Sequence, residues 1–113
     1  MHELSLAQEV IDLVSREAEK NNMTLVQEVH IEIGTLSGVE TDAFETALEL
    51  LVKETILENA VRKIIRVPGH GKCGNCDIEF EMEQILSTCP ECGDYPLEIT
   101  GGREFRVVSF TGE

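Results

Sequence analysis

The sequence predicts an α+β protein with a small three-stranded mixed sheet, two helices on one face of that sheet, and an inserted zinc-ribbon-like module. Three observations lead to this prediction. Two segments repeat apolar residues at helical spacing, three segments show the alternation of a strand, and four cysteines lie in two C-x-x-C pairs before the last strand. The predicted order is therefore α-β-α-β, then the cysteine insert, then β.

The first helix is predicted over Ser5–Lys20, where apolar residues recur every three or four positions. Residues Ser5–Gln8 resemble a capping box, although the helix could also begin nearer His2. Asn21 and Asn22 are plausible terminators, because asparagine tolerates the left-handed conformation that ends many helices.

The second helix is predicted to begin at Asp42, since Glu45 follows three residues later and the pair forms a start signal. Its apolar positions run from Phe44 to Val52 along one face. Both helices can therefore pack against one sheet.

Three strands are predicted from period-two alternation. The segment "VQEVHIEIG" alternates aliphatic residues with Glu, His and Glu, as in a half-buried strand. The segment "AVRKIIRV" would place Val61, Ile65 and Val67 on one face and Arg62 and Arg66 on the other. The closing segment "REFRVVSFTG" is strand-like and is expected to pair with the earlier two, because a lone terminal strand cannot bury its apolar side chains.

The composition narrows the class of function. The chain has 113 residues, 22 acidic against 9 basic side chains, and a formal net charge of −13. Such a surface repels phosphate, which counts against nucleic-acid binding, and suits basic protein patches or cations, unless it serves solubility alone. The absence of a secretory signal and of a long apolar run predicts a cytoplasmic protein without a membrane span.

The cysteine pairs predict a structural zinc site. A two-residue gap lets both sulfurs of a pair face one ion, with Gly74 and Gly93 easing the tight turns, and four thiolates leave no open position for a catalytic water. Iron in the same sulfur geometry, thiol redox chemistry and unrelated buried cysteines are the alternatives. The predicted zinc ligands are Cys73, Cys76, Cys89 and Cys92.

The module containing these cysteines is predicted to span residues 70–96, inserted into a discontinuous domain of residues 1–69 and 97–113. His70 lies three residues before the first cysteine, and it is either an exchangeable ligand or a solvated loop histidine.

The N-terminal "MHE" offers a second candidate metal site. The α-amine of Met1 can lose its proton near neutral pH, and His2 can close a chelate ring through the intervening amide, as Ni(II) or Cu(II) favour in square-planar coordination. Glu3 would add a further amide or a carboxylate. The alternative is that these residues form an ordinary mobile tail.

The chain resembles the HypA/HybF family of nickel metallochaperones for [NiFe]-hydrogenase maturation. The resemblance rests on "MHELSLAQEVIDLV", "VHIEIGTLSGVE", "ILENA", the paired C-x-x-C module and "GREFRVVS", and it covers the whole chain. It implies structural zinc on the four cysteines and transient nickel cargo at Met1, His2 and Glu3. Glu40 lies where some members have an acidic residue associated with nickel, although a solvated carboxylate beside a helix start is the simpler explanation.

The resemblance also implies two partners, the maturation GTPase HypB and the hydrogenase large-subunit precursor that receives nickel, with a monomer or weak homodimer as the carrier. The alternatives are a zinc-ribbon interaction or nucleic-acid module and an enzyme. An enzyme has little support, because no phosphate loop or nucleophile triad is present in the sequence.

Overall fold

The structure is a computed structural model that describes residues 2–113. In this range the chain forms two α-helices and six β-strands, which confirms the α+β class. The elements are α1 (His2–Lys20), β1 (Val26–Gly34), α2 (Thr41–Leu51), β2 (Val61–Val67), β3 (Gly69–Cys73), β4 (Glu79–Met82), β5 (Pro96–Gly101) and β6 (Phe105–Gly112).

The predicted sheet has the strand order β2-β1-β6. The N–H of Leu25 donates to the carbonyl of Glu113, and the N–H of Glu113 donates back to Leu25, so β1 and β6 run antiparallel. By contrast, β1 begins beside Ile56, just before β2, and Thr35 bonds to Val67 at the end of β2. The pair β1 and β2 is therefore parallel, and the sheet is mixed as predicted.

The two faces of β1 differ as the alternation predicts. Val29, Ile31 and Ile33 are fully buried, whereas the Glu and His residues between them are only partly covered. The apolar residues of β2 lie on the open face of the sheet. Val61 is 54% and Ile65 40% exposed, and β2 is an edge strand.

Helix α1 begins at His2, as the second alternative predicted, so Ser5 lies inside the helix and residues Ser5–Gln8 do not form a capping box. The side chain of Gln8 instead donates to Asp12 one turn ahead, at 2.9 Å. The end of the helix is as predicted. Asn22 adopts a positive φ of 57°, and the N–H of Met23 reaches back to the carbonyl of Ala18 at 2.9 Å, which closes the last turn.

The two helices contact each other along small and aliphatic faces. The buried positions of α1 are Ala7, Val10, Ile11, Val14 and Ala18, and those of α2 are Phe44, Ala47 and Leu48. Phe44 is the only aromatic residue among the largest fully buried side chains of the described chain. The scarcity of aromatic residues thus gives the predicted aliphatic core.

A second three-stranded sheet, in the order β4-β3-β5, contains the cysteine segment. In the sequence, the short alternating run of Ile78, Phe80 and Met82 between the cysteine pairs indicates β4, but no pattern predicts β3 or β5. The central strand β3 has the sequence GHGKC and no apolar alternation, because glycines occupy two of its three buried positions. A Cβ on Gly71 would lie 2.5 Å from the Met82 sulfur and 2.9 Å from Pro96, so only glycine lets these strands approach.

The contacts divide the chain into two compact units. The first consists of residues 1–31, 40–64 and 107–113, and the second of residues 32–39 and 65–106. The cysteine segment 70–96 belongs to the second unit, and the assignment of one metal to each domain stays a prediction. Within residues 2–113, no helix is long and apolar enough to cross a membrane.

Candidate metal centres

The two C-x-x-C pairs fold into turns with the same hydrogen bonds. The N–H of Cys73 donates to the carbonyl of Ile78, and the N–H of Asp77 donates to the carbonyl of Cys73. In the second turn, Cys89 bonds to Asp94 and Gly93 bonds back to Cys89 at the same offsets. Each turn is thus a knuckle that presents both of its sulfurs on one side.

The residue after the second cysteine of each knuckle has a positive φ, 56° at Asp77 and 78° at Gly93. This explains Gly93, because glycine adopts that conformation at little cost. The matching prediction for Gly74 is wrong, since Gly74 is not among the residues of positive φ in the described chain. Gly74 instead lies against Leu97, whose Cβ would be 3.4 Å from an added methyl group.

The knuckles bring all four sulfurs together. The Sγ atoms of Cys73, Cys76, Cys89 and Cys92 lie within 4.8 Å of one another, and those of Cys73 and Cys92 are 3.4 Å apart. A tetrahedral ion with sulfur ligands at about 2.3 Å needs sulfurs roughly 3.8 Å from each other. The four residues therefore fit a tetrathiolate metal site, and all four are free thiols.

Hydrogen bonds within the cluster shift the pKa values of its thiols in opposite directions. The N–H of Cys76 donates to the sulfur of Cys73 at 3.4 Å, which lowers the pKa of Cys73 to about 7. The hydrogen bond with Cys92 raises the pKa of Cys76 to about 12. Four thiolates this close repel one another, so complete ionisation of the cluster requires a bound cation.

The cluster lies on a small apolar core. Cys73 and Cys89 are buried together with Leu36, Phe80 and Met82. On the outside, the side-chain amide of Asn75, in the first knuckle, donates to the carboxylate of Asp94, which follows the second. The cysteine cluster thus lies between the apolar core of the second unit on one side and the two knuckle loops on the other.

The other predicted site lies at the start of α1, although Met1 is outside the described residues. The side chain of His2 is 60% exposed, and its Nε2 lies 3.8 Å from Oε2 of Glu3. His2 is also the first residue of α1, where amide N–H groups have no carbonyl partner within the helix. An accessible imidazole and a helix-starting amide therefore occur in the same residue.

Glu40 is next to this site but serves as the N-cap of α2. Its carboxylate accepts the N–H groups of Asp42 and Ala43, at 3.3 and 2.8 Å. The helix thus begins at Thr41, and the start signal assigned to Asp42 is off by one residue. The N–H of Glu40 donates to Glu3 at 3.1 Å, and this bond lowers the pKa of Glu3 to about 2.

The structure therefore brings Glu3 and Glu40 together and places His2 beside them. Among the described residues, the four cysteines are the one group of three or more His, Cys, Asp or Glu whose ligand atoms could hold a metal ion. His70 lies in β3, where its register partners are Glu81 and Gly101 rather than a cysteine.

Sequence reasoning missed an ion-pair network on the open face of β1. His30 bonds to Glu28, at 2.5 Å, and Lys63 of β2 lies 3.8 Å from the same carboxylate. The hydrogen bond from His30 lowers the pKa of Glu28. The alternation in β1 predicted the shared face of Glu28 and His30, but the partner from β2 depends on strand register.

Comparison with known proteins gives one family. The HypA family, described as hydrogenase/urease nickel incorporation, metallochaperone, matches residues 1–112. The hydrogenase maturation factor HypA of Parabacteroides distasonis is 42% identical over 111 residues, which cover 96% of this chain and 95% of that protein. The HypA of Geobacter metallireducens is 40% identical over 107 residues, covering 95% and 94%.

Solved structures agree with the sequence comparison. The solution structure of the Ni metallochaperone HypA from Helicobacter pylori has a TM-score of 0.65 and 27% identity, and the match covers 99% of this chain and 97% of that one. Another solution structure of a HypA protein has a TM-score of 0.67 and 26% identity, covering 100% and 97%.

Proposed function

The chain belongs to the HypA family, and on that premise we propose that it binds Ni(II) at its N-terminus and delivers it to the [NiFe]-hydrogenase large-subunit precursor. The family is one of metallochaperones for hydrogenase maturation, so the protein is a carrier rather than a catalyst. The proposed nickel ligands are Met1, His2 and Glu3, with Glu40 as an additional candidate.

The observation that carries this proposal is the exposed imidazole of His2 on the first residue of α1. Deprotonated amide and imidazole nitrogens are the ligands that square-planar Ni(II) favours. A site at an exposed chain end can also pass its ion to a second protein, which a closed cage cannot do readily. The carboxylate of Glu40 already accepts two N–H groups, so a role as ligand would have to compete with its role as N-cap.

We also propose that zinc occupies the four-cysteine cluster as a structural ion. The support is the donor set, since four clustered thiols match tetrahedral Zn²⁺. Zinc bound there supplies a cross-link between the two knuckles. The cysteines hold it, and Phe80 and Met82 shield one side of the cluster.

The proposed partners are the GTPase HypB and the large-subunit precursor, in the cytoplasm, with the carrier acting as a monomer or weak homodimer. The family description includes urease, so a second nickel enzyme is a further possible recipient.

The test is a nickel titration of tag-free, zinc-loaded protein beside His2→Ala. We expect about one Ni(II) per protomer with a square-planar absorption band for the native chain and loss of that band in the variant. His30→Ala is the matched control, because His30 belongs to the same unit but bonds to Glu28 on β1. Equal binding by the native chain and His2→Ala would overturn the proposed site.

A second variant carries a short N-terminal extension before Met1. The extension converts the α-amine into an amide, whose nitrogen lone pair is delocalised into the carbonyl group, so nickel binding should fall while zinc content and folding stay unchanged. An extended protein that binds nickel with native affinity would show that the amine is not a ligand.

A further inference from the structure

The most exposed large apolar side chain of the described residues is Leu97, at 75%, and Tyr95 beside it is 65% exposed. We call these two residues the Leu97 patch. Single exposed apolar residues are ordinary, but two large ones at alternate positions of one short segment, one of them aromatic, are typical of contact surfaces.

The exposure of Leu97 results from an irregularity in strand pairing. Lys72 of β3 pairs with Glu98 of β5, and the next residue, Cys73, pairs with Pro96. Leu97 is thus an extra residue on β5, opposite no residue of β3. Such bulges redirect a side chain away from the sheet, and here the side chain lies over Gly74 in the first knuckle.

The charge near the patch is mainly negative, with Lys72, opposite Glu98 in the pairing of β3 and β5, as the basic exception. Between Gly74 and Gly102 the sequence has no lysine or arginine and seven acidic residues: Asp77, Glu79, Glu81, Glu83, Glu91, Asp94 and Glu98. All seven are exposed, and Asp94 and Glu98 flank the two patch residues in the sequence. The patch is therefore an apolar contact point with an acidic rim.

We propose that the Leu97 patch is a docking surface for a partner protein that presents lysine or arginine side chains around an apolar pocket. Charge complementarity favours this occupant, because opposite potentials steer association and like charges oppose it. A second copy of the chain is disfavoured as the occupant, because two identical acidic rims, each on a molecule of net charge −13, would repel each other.

The Leu97 patch lies against the four-cysteine cluster, because Leu97 packs on the first knuckle. Leu97 lies against Gly74, the residue between Cys73 and the rest of the first knuckle. A partner that covers Leu97 therefore also covers the outer side of this knuckle. The proposed nickel site is not needed for this inference, so the two proposals can fail separately.

The test uses isotope-labelled, metal-loaded protein and a short synthetic peptide with a central Leu-Phe pair flanked by lysines. We expect amide resonance shifts at Gly74 and at residues 95–98. Leu97→Ser should weaken binding about fivefold or more, as for a contact residue of moderate importance. Tyr95→Ser, which lies outside the strands, should act in the same direction.

The matched control is Leu86→Ser, because Leu86 is 71% exposed in the same unit but lies before the second knuckle. This variant should bind the peptide with native affinity. A peptide with glutamates in place of lysines should not bind, and one with Ser-Gly in place of Leu-Phe should bind more weakly than the original.

Three results would overturn the proposal. Equal peptide affinity of Leu97→Ser and the native chain, or shifts confined to other residues, would exclude the patch as the contact. A concentration-dependent dimer that Leu97→Ser abolishes would assign the surface to a second copy of the chain instead.

Discussion

At the scale of single residues, the carboxylates of Glu3 and Glu40 form hydrogen bonds to backbone N–H groups that the sequence does not predict. Glu40 holds the first turn of α2 through two N–H groups, and its own N–H bonds to Glu3. Glutamate is not the usual N-cap, because serine, threonine, aspartate and asparagine are favoured at this position. The role depends on the extended backbone of Glu40, with φ −81° and ψ 112°.

Replacing Glu40 separates its two candidate roles. Glu40→Ala should lower the free energy of unfolding by about 1 kcal/mol, since an N-cap is lost, whereas Glu40→Ser should keep most of the stability. Urea denaturation measures both, with Glu45→Ala on the exposed side of α2 as control. Lower nickel affinity in the stably folded Glu40→Ser would favour a ligand role, and native affinity would limit Glu40 to capping.

The pair of Glu28 and His30 should make stability depend on pH. The pKa of Glu28 is lowered in the folded protein, so its contribution is present above the ordinary value of 4.5 and is lost as the pH falls through the lowered pKa. Glu28→Gln should therefore be less stable than the native chain at neutral pH, and the difference should shrink in acid.

Denaturation of both proteins between neutral pH and the acid limit of folding measures this difference. Glu9→Gln on the exposed side of α1 is the control and should show no such dependence. A Glu28→Gln deficit that stays constant across this range would contradict the assignment to an ionised carboxylate.

At the scale of elements, the two knuckles are repeats of one backbone motif with different residues at the critical position. Gly93 adopts its positive φ freely, whereas Asp77 adopts the same conformation with a side chain that also lies 3.3 Å from Lys72. The left-handed region costs other residues roughly 1–2 kcal/mol.

Gly93→Ala should therefore weaken metal binding about tenfold, because part of the binding free energy is spent on an unfavourable turn. Competition with a chelator measures the change. Gly74→Ala is the matched control, since its φ is not positive and Leu97 can shift away from the new methyl group. Equal losses in both variants would show that crowding, rather than backbone conformation, limits the knuckles.

At the scale of the whole molecule, the two compact units depend on different sources of stability. The first has helix faces packed in an aliphatic core, whereas the second has a small apolar cluster that includes two metal-ligand candidates, Cys73 and Cys89. We expect so small a core to need a bound metal to stay folded, since structural zinc contributes about 10–16 kcal/mol in small zinc-binding modules.

Cys89→Ala should accordingly unfold the second sheet while α1 and α2 remain. Hydrogen exchange should show lost protection in β3, β4 and β5, and circular dichroism should retain the helical signal. Chelation of the metal from the native chain should reproduce the effect, and Cys89→Ala should bind less than one metal ion per chain. Loss of the helices in either experiment would mean that the units do not fold separately.

The sequence by itself determined the elements with strong periodicity and the ligands with strict spacing. Helix α1, strand β1 and the four cysteines each follow from a local pattern, because burial of one face and the reach of a two-residue gap act over a few residues. The sequence did not predict the second sheet, because the glycines of β3 give no apolar alternation. The need for glycine at position 71 arises only in the folded sheet, where the side chains of Met82 and Pro96 fill the space that a Cβ would occupy.

Tertiary structure also decided the open face of β2, the capping role of Glu40 and the exposure of Leu97. The open face of β2 and the exposure of Leu97 depend on strand register, which moves side chains between faces without changing local sequence. The capping role depends on the extended backbone conformation of Glu40. The clustering of the four cysteines was thus predictable from the chain alone. The surroundings of the candidate metal-binding residues depend on tertiary contacts, namely the pairing of β3 with β5 and the packing of α1 against α2.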